Sequence, residues 1–203
     1  KPLPDTECRV DTSGELLIRG PQVMKGYWRN PKATDEVFTK DGFFRTGDIA
    51  EIDAEGFVRI TDRKKEILIT SGGKNIAPQP IQNAFDTDPY IEQIYIVGEG
   101  RKYLAAMVVP NFEMIERVAR EKGVSFRNRK EFVKHEVIQK LFNKRIEKIN
   151  VKLSKYETIK RFAILTEEFT EQGGELTPTL KFKRKVIEEK YKAVIEGLYP
   201  KEF

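Results

Sequence analysis

From Gly14 to about Arg63, short runs rich in β-formers are cut at close intervals by turn signals: Asp11-Thr12-Ser13-Gly14, Asp41-Gly42 and Asp53-Ala54-Glu55-Gly56. Segments this short, each ended by residues that tolerate tight backbone, fold as a small β unit. The runs Ile49 to Asp53 and Phe57 to Thr61 make a hairpin through Ala54-Glu55-Gly56. One helix is expected among them, over Lys32 to Phe38, because Asn30 is a side-chain cap and Pro31 carries a φ suited to a first turn.

After Arg63 the texture changes. Lys64-Lys65-Glu66 leads into an apolar strand, Ile67 to Thr70, and a Ser71-Gly72-Gly73-Lys74-Asn75 turn, so a domain boundary is placed here, between residues 1–64 and 65–203. Pro78 and Pro80 open a helix to about Phe85. Strands follow at Ile91 to Val97 and Tyr103 to Val109, then a helix from Phe112 to Lys122. From Lys130 to about Leu153 the apolar residues Ile138, Phe142, Ile146, Ile149 and Leu153 recur every three or four positions, which predicts one long amphipathic helix. A strand at Arg161 to Leu165, a polar Gly-rich loop and a last helix with Val186 or Ile187, Tyr191, Ile195 and Leu198 on one stripe complete the chain. The expected class is α+β: a small β subdomain, then a C-terminal α+β domain with a small mixed sheet and helices.

The longest apolar runs fall far short of the roughly 20 residues of a membrane-spanning helix. The first residues lack the pattern of a signal peptide and read as mid-domain sequence. The lone Cys8 has no internal disulfide partner, which fits a reducing compartment, with the cytoplasm as default. Charge is uneven: residues 1–100 hold 13 basic against 17 acidic side chains, and residues 101–203 hold 24 against 15. A basic second half would attract nucleic acid, an anionic membrane surface met peripherally, or a phosphorylated small molecule; it is equally the solvated face of Lys-rich helices. Phe126, Phe132, Phe142, Tyr156 and Phe162 sit mostly on apolar stripes or strand edges and read as core, which weighs against single-strand nucleic-acid binding. His135, the only histidine, has no Cys or His at ligand spacing, so no metal site is assigned.

Four short segments carry chemistry. In Arg45-Thr46-Gly47-Asp48, a carboxylate held by a Gly turn offers two acceptor oxygens, enough for both hydroxyls of a ribose. In Asp62-Arg63-Lys64-Lys65-Glu66, Arg63 can reach the same ribose, and Lys65 stands where the chain can swivel. In Ser71-Gly72-Gly73-Lys74-Asn75, paired glycines let backbone approach a ligand and Lys74 can meet a phosphate; the ending is not that of a Walker loop. In Leu176-Thr177-Pro178-Thr179-Leu180-Lys181, Lys181 is a point charge able to bridge a carboxylate and a phosphate in a transition state that gathers negative charge. Each alone is more often a structural turn or a solvated linker.

Taken in order, these segments resemble the adenylate-forming superfamily of acyl-CoA synthetases, luciferases and peptide-synthetase adenylation domains. The resemblance starts at Gly-Glu-Leu-Leu-Ile-Arg-Gly-Pro-Gln-Val-Met-Lys-Gly-Tyr-Trp (residues 14–28) and covers nearly the whole chain. The Leu-Thr-Pro-Thr-Leu-Lys segment, the Asp-Arg at 62 and 63, the helical insertion near 111–152 and residues 154–162 look like the long-chain fatty acyl-CoA ligases. The resemblance implies that a fatty carboxylate attacks the α-phosphate of ATP, with Mg²⁺, to give acyl-AMP, and that CoA then displaces AMP. It implies Asp48 and Arg63 as ribose ligands, Lys181 as the catalytic residue of adenylation and Lys65 as the hinge. Ser71, Gly72, Gly73 and Lys74 would be the face of a mobile domain that meets CoA. Leu180 stands where many relatives have Gly, which keeps Lys183 as a second candidate for the catalytic lysine. The phosphate loop, acyl pocket, adenine segment and magnesium-linked Glu of the family are expected upstream of Lys1, so this chain alone is expected to be inactive. Rival readings are a fatty acyl-AMP ligase and a non-catalytic basic binding module.

Overall fold

A computed structural model describes residues 1–200. The chain divides into two compact units, one of Lys1–Ile67 with Ala77–Pro80, the other of Leu68–Ile76 with the residues from Ile81 onward. The mixed α+β class read from the sequence is the class observed.

The first unit is an antiparallel meander of β1 (Glu7–Val10), β2 (Glu15–Arg19), β3 (Phe44–Ile52) and β4 (Val58–Arg63), in that spatial order. Helix α1 (Pro31–Val37) is inserted between β2 and β3, and the Asn30 side chain accepts from the Ala33 N–H as its cap. Its buried apolar residues are few: Leu16, Leu17, Phe43 and Ala50.

The second unit pairs β5 (Leu68–Ile69) with β6 (Asn75–Ile76) and, separately, builds a sheet of β7 (Ile91–Val97), β8 (Leu104–Pro110) and β9 (Ile159–Ile164). Helix α2 (Pro78–Asn83), whose first residues are counted with the first unit, precedes this sheet in the chain. Strand β8 lies between an antiparallel and a parallel neighbour, and all seven of its residues are buried, which is why it reads Leu-Ala-Ala-Met-Val-Val-Pro without alternation. Helices α3 (Phe112–Glu121), α4 (Arg129–Lys134), α5 (Glu136–Asn150), α6 (Arg184–Lys190) and α7 (Lys192–Gly197) complete the unit, and Ile115, Phe132, Ile138, Phe142, Ile187 and Ile195 join its core.

Two expected helices are each divided. The one expected over Lys130 to Leu153 breaks at His135, whose extended backbone ends α4 and whose Nδ1 accepts from the Val137 N–H to cap α5. Side-chain period cannot reveal such a break, because Ile138, Phe142, Ile146 and Ile149 keep one buried stripe beyond it. The last helix breaks at Tyr191, whose ring packs edge-on to Phe169. Tyr156, expected in the core, is exposed, with the Lys74 ammonium 5.7 Å from its ring centroid.

Five hairpins share one loop. Residue i is Asp11, Thr39, Asp53, Thr70 or Thr177. Its N–H donates to the carbonyl of residue i+4, and its carbonyl accepts from the N–H of i+3. Its side-chain oxygen accepts from the N–H of i+4. The flanking pairs are Val10 with Leu16, Phe38 with Phe44, Ile52 with Val58, Ile69 with Asn75 and Leu176 with Phe182. Residue i+3 is left-handed in every case, and it is Gly in four and Leu180 in the fifth. This is the three-residue hairpin loop closed by a left-handed residue, and the Asp or Thr at its start supplies the side-chain acceptor.

Candidate functional site

The first constellation lies on β3 and β4. Cross-strand register sets Asp48 opposite Arg63, and their side chains meet, with Nη1 of Arg63 2.7 Å from Oδ1 of Asp48. The second carboxylate oxygen makes no bond among the described residues. A donor and an acceptor are thus offered side by side on one strand pair, a combination able to hydrogen-bond a vicinal diol.

Two residues to which the sequence assigns no role of their own hold this geometry. Glu15, on β2, is 4% exposed. Its Oε1 accepts from the Gly47 N–H at 3.0 Å, and its Oε2 lies 2.9 Å from Lys64 Nζ and 3.3 Å from Arg45 Nη1. One buried carboxylate therefore fixes the turn before Asp48 and the residue before Lys65. Its one signal in the sequence is a Glu directly before the apolar run Leu16-Leu17-Ile18. Asp62, also buried, accepts from the Arg63 N–H at 2.7 Å and, through its other oxygen, from the Gln79 N–H at 3.1 Å. That second bond accounts for a carboxylate beside Arg63. An open cavity of about 490 Å³ is lined by Arg45, Thr46, Gly47, Arg63, Lys64 and Lys65 with their neighbours. Lys65 itself is exposed in a 3₁₀ turn, Lys64–Glu66, just before the unit boundary.

The second constellation belongs to the other unit and consists of two loop tips. Thr70 to Lys74 is the fourth of the shared loops: Gly73 has φ +71°, whereas Gly72 has an ordinary φ and open space around any added Cβ. The backbone thus favours glycine at 73 and has no need of it at 72. Ser71 donates its N–H to the Arg101 carbonyl at 2.9 Å.

Thr177 to Lys181 is the fifth. Phe182, half-buried, is edge-on to Tyr95 and to Phe169 at 5.4 and 5.5 Å between centroids, and this anchors the strand so that Lys181 and Lys183 on either side are exposed. Lys181 directly follows the loop tip, and Lys183 is at the N-cap of α6, where its N–H donates to the Glu175 carbonyl at 2.7 Å. Glu175 is fully buried. Burial opposes its ionisation, but its bonds from Lys190 and from backbone N–H groups prevail and hold its carboxyl below the usual range. The hairpin bearing Lys181 is thereby tied to α6.

Among the described residues no group of three or more His, Cys, Asp or Glu side chains could hold a metal ion, and no helix is long and apolar enough to cross a membrane.

A family model for the AMP-binding enzyme C-terminal domain matches residues 65–202. The chain is 41% identical over 206 residues to long-chain-fatty-acid–CoA ligase FadD15 of Mycobacterium tuberculosis, covering 100% of this chain and 34% of that protein. It is 35% identical to long-chain-fatty-acid–CoA ligase 5 of mouse, covering 94% of this chain and 28% of the relative. Among solved structures it is similar to the adenylation domain of a carboxylate reductase from Mycobacterium chelonae, with TM-score 0.76, 26% identity and coverage of 98% of this chain and 31% of that one. It is likewise similar to an adenylation and carrier didomain of a carboxylic acid reductase from Segniliparus rugosus in complex with AMP, with TM-score 0.75, 28% identity and coverage of 98% and 28%. The chain spans about a third of the length of the curated relatives it matches.

Proposed function

The chain belongs to the family of the AMP-binding enzyme C-terminal domain, and from that premise we propose that it forms the nucleotide edge, hinge and lid of an ATP-dependent long-chain fatty acid–CoA ligase. The observation that carries this reading is the Asp48–Arg63 pair, a register-fixed acceptor and donor placed shortly before the residue at which the family match begins. In this reading Asp48 accepts from the ribose hydroxyls of the adenylate, Arg63 steadies it, and Glu15 holds both the Gly47 turn and Lys64.

Lys181 acts in the first step. The acyl carboxylate attacks the α-phosphate of ATP, pyrophosphate leaves, and the ammonium offsets the negative charge that collects on the oxygens between them. In the second step the CoA thiolate attacks the acyl carbon, AMP leaves, and the turn from Ser71 to Lys74 flanks the pantetheine. Its Gly72 keeps the approach open, and Lys74 faces phosphate. Two transition states of different shape are better served by two preorganised faces than by one compromise, and Lys65 is the residue about which residues 65–203 turn to exchange them. Mg²⁺ would neutralise the ATP phosphates; no described residues of this chain make a site for it, and no step here runs through it.

The test measures the half-reactions separately in the full-length enzyme that carries this chain. Acyl-AMP formation should need Asp48 and Lys181, and acyl transfer from supplied acyl-AMP should need Gly72. Formation of acyl-AMP by a Lys181→Ala enzyme at the parent rate would overturn the reading, and transfer to a carrier protein in preference to CoA would replace it with an acyl-AMP ligase.

A further inference from the structure

Between β9 and the Lys181 hairpin runs a polar, glycine-rich stretch whose geometry centres on one side chain. Glu175 is 1% exposed. Its Oε2 accepts from the Thr170 N–H at 3.3 Å, and its Oε1 takes the ammonium of Lys190, the last residue of α6. A carboxylate buried this deeply is tolerated only when such partners satisfy it. The hydrogen bond to Glu175 in turn raises the Lys190 ammonium above its ordinary value, so the cation persists at any working pH. The glycine at 173 serves the same carboxylate. Its φ is not left-handed, but a Cβ added there would collide with Glu175 Oε2 and stand 2.9 Å from Thr170 Oγ1. That hydroxyl accepts from the Gly173 N–H at 2.8 Å, so residues 170–175 close a ring around the acid.

The ring is anchored on two sides. Toward the sheet, the side chain of Gln93, on β7, pairs with the Phe169 backbone in both directions: its amide donates to the carbonyl at 3.0 Å, and its oxygen accepts from the N–H at 2.8 Å. Toward the hairpin, the Leu176 N–H donates to the Thr170 carbonyl at 3.1 Å, and the Glu175 carbonyl takes the Lys183 N–H. The backbone of Glu175 thus closes the root of the hairpin while its carboxylate reaches the far end of α6. Beyond that root Lys181 is exposed and has no carboxylate partner among the described residues, so the hairpin backbone alone directs it.

We propose that Glu175 is a positioning residue for Lys181: its carboxylate locks the ring of residues 170–175 to α6, and that lock fixes the hairpin root from which the ammonium is aimed. The proposal rests on the reading that Lys181 acts in acyl-AMP formation. Glu175 is buried, so it touches no reactant and acts only through the hairpin. An ammonium on a flexible stem stabilises a transition state only as well as its support is fixed, because a misplacement of roughly an ångström costs about 10²-fold in rate. Acyl transfer, which uses the loop at Ser71 to Lys74, has no need of this lock.

Two variants break the lock in different ways. Glu175→Gln keeps the shape and an acceptor for the Thr170 N–H but loses the ion pair, whereas Gly173→Ala keeps both charges and displaces the carboxylate. In the full-length enzyme each should lower kcat for acyl-AMP formation about tenfold or more, with KM for ATP and for the fatty acid unchanged and transfer from supplied acyl-AMP to CoA at the parent rate. In a Lys181→Ala background Glu175→Gln should cause no further loss, since it acts through the missing ammonium. In the 203-residue chain, trypsin should cut after Lys181 about tenfold faster in both variants, read by mass spectrometry, because losing a charge-assisted bond opens the hairpin locally. An acyl-AMP rate at the parent value in either variant, equal losses in the two half-reactions, a further loss in the Lys181→Ala background, or an unchanged cut at Lys181 would each overturn the proposal. Failure here is separable from failure of the ligase reading. Loss of acyl-AMP formation in Lys181→Ala beside a Glu175→Gln enzyme at the parent rate removes the lock and keeps the ligase. Faster cutting at Lys181 in both variants beside a Lys181→Ala enzyme at the parent rate keeps the lock and overturns the part given to the lysine.

Discussion

The loops from Thr70 to Lys74 and from Thr177 to Lys181 have the same backbone and opposite chemistry. Each begins with a Thr whose hydroxyl accepts from the N–H of a Lys four residues on, at 3.1 Å in both, and each closes with a left-handed residue before that Lys. The first fills its tip with Ser-Gly-Gly, which leaves backbone bare for a ligand to approach. The second fills it with Pro-Thr-Leu, which stiffens the tip behind an exposed ammonium. On the proposed function a single loop geometry serves as a passage in one place and as a charged finger in the other, and the three intervening residues decide which.

The largest effect is expected at the finger. Lys181→Ala should lower acyl-AMP formation about 10²–10³-fold, the usual loss on removing a preorganised stabiliser of transition-state charge, while transfer from supplied acyl-AMP to CoA continues. Lys183→Ala is the control, because Lys183 stands at the cap of α6 and not at the loop tip. A larger loss at 183 than at 181, read by pyrophosphate exchange in the full-length enzyme, would reassign the catalytic ammonium.

At the passage, Gly72 and Gly73 should separate. An added Cβ at 72 meets only the Thr70 hydroxyl, at 4.0 Å, and the backbone there is ordinary. Gly72→Val should therefore leave the melting temperature unchanged and slow acyl transfer by about 10²-fold, as a displacement of roughly an ångström at a reacting centre does. Unchanged transfer would remove the turn from the pantetheine path. Lys65→Pro comes next. Fixing φ and deleting an N–H within the 3₁₀ turn should slow transfer about tenfold or more while acyl-AMP still forms, since only the exchange of faces needs that backbone to move. Parallel loss of both half-reactions would mean that the proline disturbs the fold and not the hinge.

What can be read from the sequence follows from how local each signal is. The hairpins are legible because their loops announce themselves as Asp or Thr followed three residues later by Gly, and Asp53-Ala54-Glu55-Gly56 states the rule in full. The loop at Thr177 gives no such signal, because Leu180 occupies the left-handed position and breaks the pattern that the other four obey. The helix break at His135 is hidden because the apolar stripe runs on past it. Asp48 and Arg63 can be named from their motifs, but their 2.7 Å contact is a matter of strand register. The parts played by Glu15 and Asp62 are hidden for a similar reason. Their partners, Gly47, Lys64 and Gln79, are 32, 49 and 17 residues away, distances over which sequence pattern carries no information.

The shared Thr should matter about equally at the two tips, by a smaller amount. Thr70→Val and Thr177→Val each delete one side-chain acceptor of a backbone N–H, worth about 1 kcal/mol. Urea unfolding of the chain should show nearly equal losses. A loss confined to one site would show that the two loops are alike in geometry only.

The smallest expected change tests why one loop tolerates a left-handed leucine. At φ +58° Leu180 carries the steric cost of a Cβ near the following carbonyl, about 1 kcal/mol, and at 73% exposure its side chain recovers little by packing. Leu180→Gly removes that cost but adds freedom to the unfolded chain worth roughly 0.5–1 kcal/mol, so the two nearly cancel and stability should move by less than about 0.5 kcal/mol. Gly73→Leu is the reverse exchange. It takes on the left-handed cost and gains the same entropy, and with nothing within 4 Å of the added Cβ it should be equally mild. If Leu180→Gly instead weakens acyl-AMP formation at constant stability, the strained residue is holding Lys181 in place, and the stiff tip rather than the ammonium alone is what distinguishes the finger from the passage.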